Sequence, residues 1–344
     1  MRRWAQRPEG STWGDFGEND QLGRLNLLTE QKVLQAITEV KVGKVFCLSL
    51  PLDLPGGNGL NSRRLPPVVS PTTKDGRLFM NIAMGDGDAS VVDVLCDDQV
   101  TLSLQYSTQW DGLCHIGARF DVDGSGRESM VYYNGFKAGE HVLGGGLSPL
   151  HSECNHGATG ALKLGIENYA VKGMQGRGVM IDLVRNFGSG RTLIGYVELM
   201  RAIEADRVRI ETGDMLVLRT GFAEAIVEMN GAPVHEVLDQ TGAVLDGSDE
   251  RLLNWITESG IAAICADNYA VEAYPARTSG AKRSVLPLHN HCLFKLGVPL
   301  AELWYLKDLA QWLAEHQRSS FLLTAPPLRL PRAVGSPVTP IATV

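Results

Sequence analysis

A mixed α/β fold is predicted, β-rich in its first half and α/β in its second. Two observations carry this. Up to about residue 111, short apolar runs with strand-like alternation are separated by turns of Gly, Pro, Asn and Asp. From Gly176 onward, three buried-looking runs (Val179 to Val184, Met215 to Leu218, Ile261 to Ala266) alternate with segments of helical spacing, as strands joined by helical crossovers do. No internal repeat or composition break divides the 344 residues. The chain therefore reads as one domain over 1–344, with an N-terminal arm at 1–28 and a C-terminal tail at 326–344.

In chain order, the arm is rich in Gly, Asn and Asp and lacks periodicity, so it is expected to lie over a surface. Thr29 caps a helix carrying Val33, Leu34, Ile37 and Val40, and Gly43 stops it. Val45 to Leu50 reads as a strand. Pro51 to Thr73 is rich in proline, too long for a simple connector, and reads as a lid. Leu78 to Ala83 and Ala89 to Leu95 flank the hairpin signal Gly85-Asp86-Gly87, and Val100 to Leu104 alternates as a half-buried strand. In the second half, helices are predicted over Leu162 to Val171, Val197 to Ala205, Phe222 to Met229, Glu250 to Glu258, a stretch beginning at Leu286, and Leu309 to Ala314. A last strand, Phe321 to Leu323, precedes the Pro- and Gly-rich tail.

A formal charge of −7, with no Lys/Arg cluster longer than a pair, excludes a nucleic-acid footprint and leaves a small molecule as the expected partner. No run reaches membrane-spanning length, no leader pattern follows Met1, and a cytoplasmic location is the default expectation. The six cysteines are scattered, without a zinc or redox spacing. Cys114 beside His115 is a weak candidate for a nucleophile, since sequence neighbours do not face one another. His151-Ser-Glu-Cys-Asn-His156 is the most metal-like local cluster, although its spacing fits no standard zinc pattern.

The segment richest in chemistry is Gln105 to His115, which gathers two amides, a carboxylate and an imidazole just after the predicted strand. Asp111-Gly112 signals a turn there, and polar groups at a strand end are where folds commonly place function. The alternative is a turn whose side chains bond only the local backbone. Tyr106 and Trp110, with the proline-rich segment, are candidates for an apolar wall against a ring-bearing substrate, or else plain core. Arg219 is a candidate for a carboxylate-binding group, or for an ion pair with Asp214 or Asp182. Glu272 is a further candidate acid.

These landmarks resemble the cyclase family of metal-dependent hydrolases, which contains bacterial kynurenine formamidase and isatin hydrolase. The likeness rests on Asn19-Asp20 with Gly23 and Asn26, on Gln105 to His115, on Gly176-Arg177-Gly178-Val179, on Gly213-Asp214 with Arg219-Thr220-Gly221, on His289 with Glu302, and on Gly335-Ser336-Pro337. It implies a swivelling β/β/α fold, a small-molecule hydrolase acting on a C–N amide or lactone bond, and a homodimer or homotetramer. The family motif His-x-Gly-Thr-His-x-Asp-x-Pro-x-His supplies metal ligands from both leading histidines and the aspartate, and an acid/base from the last histidine. Here those four places hold Gln105, Gln109, Asp111 and His115. The resemblance also implies a histidine and a glutamate farther on, matched by His289 (with His291 competing) and Glu302.

An amide oxygen is a harder and weaker ligand than imidazole, so the exchange of two histidines for glutamines disfavours zinc relative to manganese if an ion is kept. The expected cofactor is thus a divalent ion, manganese or zinc, held by Asp111, His289 and Glu302 with Gln105 and Gln109 nearby. The alternatives are a metal-free acid/base enzyme (dehydratase, isomerase or cyclase) using His115 with Asp111 or Glu302, and a non-catalytic binder.

Overall fold

The computed structural model describes residues 2–144, 159–277 and 283–344; the histidine-bearing segment 151–156 lies outside them. Its centre is a nine-stranded mixed sheet. In chain order the strands are β1 (Val45–Cys47), β2 (Gln109–Asp111), β3 (Gln175–Asp182), β4 (Met215–Arg219), β5 (Ala263–Ala266), β6 (Leu300–Glu302), β7 (Ser320–Thr324), β8 (Gly335–Pro337) and β9 (Ile341–Thr343). Their order in space is β1-β9-β7-β3-β4-β5-β6-β2-β8. Strands β3 to β6 are parallel neighbours, and the pairings outside that block are antiparallel. The parallel block is covered on both sides, which is why Met215 to Leu218 and Ala263 to Ala266 are uninterrupted apolar runs.

The predicted second half holds closely. Helices occur at Tyr196–Ala205, Phe222–Glu228, Glu250–Ser259 and Lys307–Glu315, and β4, β5 and β7 lie where the sequence placed them. The strand predicted to reach Val184 stops at Asp182, whose side chain accepts from the Arg185 N–H and caps the short helix Leu183–Phe187. Near the N-terminus, Thr29 caps the helix Glu30–Ile37 as read. The helix does not bury the face that its apolar spacing suggested, because Leu34 and Ile37 are exposed while Lys32 and Ala36 are buried. Lys32 turns inward to a carboxylate oxygen of Asp214 at 2.7 Å, and Arg177 reaches the same carboxylate at 2.8 Å.

Two expectations need correction. The stretch Val100 to Leu104 does not deliver the site as a half-buried strand; the strand ends at Thr101, is exposed, and pairs with Val68–Pro71 in a ribbon outside the main sheet. The site-bearing strand is β2 itself, fully buried despite its polar residues. The segment 326–344 is more than a tail, since β8 and β9 belong to the main sheet and β9 lies between β1 and β7. The arm does lie over a surface, pinned by Trp13, whose Nε1 donates to the Phe294 carbonyl at 2.7 Å.

Candidate active site

Strand β2 sets the geometry. Side chains alternate along a strand, so Gln109 and Asp111 share one face and Trp110 takes the other. Across the antiparallel pairing, Glu302 of β6 stands opposite Gln109, which brings its carboxylate to the same face. The fourth group comes from the helix Pro287–His289, which continues as wider π-type turns through Leu296 and presents His289. Asp111, His289 and Glu302 each offer a ligand atom, and these atoms all lie within 4.8 Å of one another in a buried cluster. His289 Nε2 is 3.4 Å from Glu302 and 3.8 Å from Asp111.

Glu272 holds that imidazole in place. Its two oxygens accept from the backbone N–H groups of Leu288 and His289 at 3.0 and 2.8 Å, capping the helix, and one of them also meets His289 Nδ1 at 2.8 Å. The ring is thereby turned with Nε2 toward Asp111 and Glu302, the arrangement in which a carboxylate orients a ligating histidine. Burial pushes the His289 pKa down, but Glu272 and Glu302 more than offset it and raise it to about 10. The backbone that aims Glu272 is strained, with Ala270 and Val271 at φ of 74° and 55°. Gly247 is required beside it, because a Cβ there would come within 2.3 Å of a Glu272 oxygen.

The two glutamines occupy their own places in the network. Gln105 Nε2 donates to Asp111 Oδ1 and lies 2.9 Å from His115 Nδ1, so one amide nitrogen ties the carboxylate to the imidazole. Gly335 leaves room for this side chain, since a Cβ there would meet Gln105 carbons at 2.6 Å. Gln109 Nε2 lies 3.2 Å from Glu302 and 3.5 Å from Asp111. Its Oε1 and Asp111 Oδ2 are left buried without a hydrogen-bond partner. Two orphaned acceptors beside two carboxylates and an imidazole are groups that a cation satisfies. His115 is half-buried at the edge, its Nε2 3.9 Å from Asp111. Burial lowers its pKa below the ordinary imidazole value; Asp111 acts against that lowering and His289 adds to it.

Several candidates are displaced. His291 faces away, 2.9 Å from the Thr257 hydroxyl, so His289 is the histidine in the cluster. Trp110 is core, packed edge-to-face on Trp304 at 5.5 Å and donating to the Ala325 carbonyl, because β2 turns it to the opposite face from Asp111. Arg219 is consumed by Asp182 at 2.8 Å and Glu224 at 2.6 Å, the ion-pair alternative with a second carboxylate added. Tyr106 is nearly buried, and its hydroxyl bonds Gly56 and Gly57, pinning the proline-rich segment. Cys114 is buried, with its thiol pushed up to about 12 by burial, and is unsuited to nucleophilic attack. Arg64, Asn61 and Tyr269 border the site and were not singled out in the sequence. The only signal for Arg64 was a basic residue in the segment read as a lid.

The family model Cyclase, described as “Putative cyclase”, matches residues 47–273, well over half of the chain. A crystal structure described as a novel cyclase is 30% identical, with a TM-score of 0.73 over 97% of both chains. The chain belongs to the Cyclase family. Other solved structures share the fold at lower identity. Isatin hydrolase A from Labrenzia aggregata, bound to benzyl benzoate, is 13% identical with a TM-score of 0.53 over 88% of this chain and 93% of its own. An isatin hydrolase bound to the product analogue thioisatinate is 14% identical, with a TM-score of 0.53 over 92% and 99%. Comparison with curated proteins gives no match. Among the described residues, no helix is long and apolar enough to cross a membrane.

Proposed function

We propose that this chain is a hydrolase that opens a C–N amide bond, cyclic or open, of a small ring-bearing substrate, using a divalent ion at Asp111, His289 and Glu302. The observation that carries the reading is the buried cluster with its orphaned acceptors, Asp111 Oδ2 and Gln109 Oε1. Three oxygen donors and one nitrogen suit manganese better than zinc. When bound, such an ion polarises the scissile carbonyl and lowers the pKa of water. Glu272 keeps His289 Nε2 turned to the cluster, and Gln109 offers its carbonyl oxygen. Gln105 holds the His115 ring at Nδ1. His115, neutral at the start, takes up the proton that the attacking water loses and passes it to the leaving nitrogen, which leaves the ring unchanged over a turnover. A lactone is opened by the same steps, with oxygen as the leaving atom.

One observation favours a metal-free reading. His289 is ringed by three carboxylates, Glu272 at 2.8 Å, Glu302 at 3.4 Å and Asp111 at 3.8 Å, so a protonated ring would offset part of their charge without an ion. Elimination or isomerisation by His115 with Asp111 or Glu302 is the corresponding chemistry. Metal analysis of protein purified without chelator, followed by turnover of formanilide and of simple lactones after chelation and readdition, separates the two. The hydrolase reading expects close to one ion per chain and activity restored by manganese. Turnover that survives complete removal of the ion would sink it.

A further inference from the structure

Arg64 lies beside the site, against the segment that carries Gln105. Its Nη1 donates to the Gln105 carbonyl at 2.6 Å, and its guanidinium carbon lies 6.0 Å from the centre of the Tyr269 ring. Among the described residues it has no carboxylate partner, unlike Arg219, which has two. Among the described residues, one of its five N–H groups is used. The same Gln105 whose carbonyl it holds reaches His115 with its side chain, and the Arg64 charge is close enough to disfavour protonation of His115. Tyr269 and Asn61 form the adjoining wall, joined by a 3.1 Å hydrogen bond, and with Tyr106 they border a cavity of about 10 Å³ beside Arg64. That volume holds about one water.

We propose that Arg64 is a specificity-determining residue that receives a carboxylate of the substrate, so that the enzyme prefers amides bearing an acidic group. The cluster itself is rich in carboxylates and repels an anion, whereas a planar guanidinium beside an aromatic ring matches a carboxylate held near a ring. The proposal rests on the amide-hydrolase reading for its substrate class, and its test is separable from that reading.

Binding of the matched pair 2-formamidobenzoate and formanilide is measured by calorimetry on metal-loaded and on chelated protein, wild type and Arg64→Gln, with Arg64→Lys as the charge-conserving control. Wild type should bind the carboxylate-bearing member about 10- to 100-fold more tightly, as expected for a charge-assisted hydrogen bond. That ratio should persist after chelation, collapse toward one in Arg64→Gln, and recover in part in Arg64→Lys. A merely structural Arg64 would weaken both ligands together and leave the ratio in place. No preference in wild type, or a preference that survives Arg64→Gln and vanishes on chelation, overturns the proposal. Failure of the hydrolase reading is seen separately, as binding of both ligands with no turnover of either.

Discussion

At the scale of single residues, the site turns on what two amides do where the family motif places two imidazoles. Gln105 and Gln109 both aim Nε2 at Asp111, and Gln109 keeps an unpartnered oxygen beside Asp111 Oδ2. Gln109→His replaces that neutral oxygen with the softer imidazole nitrogen, so protein incubated with equal manganese and zinc should shift its metal content toward zinc. Unchanged content would mean that Gln109 does not face the ion. His115→Gln should retain the ion and lose about 10²- to 10⁴-fold in kcat, the span of a general acid/base. Because burial holds the His115 pKa down, its neutral form persists to lower pH than in a free imidazole. Activity is then lost only as pH falls through that lowered value, and the acid limb of kcat/KM should lie below about 6.5. The chemical types of these residues were legible in the sequence, and so was their order. Their directions were not, since Trp110 and Arg219 looked equally available until strand alternation and two carboxylates removed them.

At the scale of elements, the critical joint is the one between the strained turn at Ala270 and Val271 and the helix that begins at Pro287. Glu272 serves both: it caps the helix and it orients His289. Glu272→Gln keeps the shape but sets an amide NH₂ against a backbone N–H. It should cost about 1–3 kcal/mol of stability for the unsatisfied donor and about 10- to 100-fold in ion affinity. Thermal unfolding and metal titration read the two effects apart, and a variant that loses neither would leave Glu272 without the positioning role. In the sequence Glu272 appeared only as one more acid, since a cap formed by a residue fifteen positions upstream leaves no local spacing to recognise. Helices and buried parallel strands were legible for the opposite reason, as each carries its own periodicity. The strands β8 and β9 were hidden by the prolines and glycines around them, and their pairing with β2, β7 and β1 is entirely long-range.

At the scale of the whole molecule, residues 68–101 raise the remaining question. They form a succession of short two-stranded ladders outside the main sheet, with Val69, Leu78, Met84, Val92 and Val94 each more than half exposed. A two-stranded ribbon is marginal alone in water, and grouped exposed apolar residues mark a contact surface. The occupant that fits the expected homo-oligomer is a second copy of this chain. The ribbon leads directly into Gln105 and leaves the body next to Arg64, so a partner seated there would also steady that edge of the site. Sedimentation velocity at micromolar concentration should therefore find a dimer or larger assembly. Val69→Asp combined with Val94→Asp, both on the exposed ribbon, should shift it to monomer with an unchanged far-UV circular dichroism spectrum, because neither side chain belongs to the buried core. Substrate affinity should fall in that monomer more than ion affinity, since Asp111, His289 and Glu302 are held from within one chain. A monomeric wild type, or a double variant that still assembles, would show that the ribbon is not the contact.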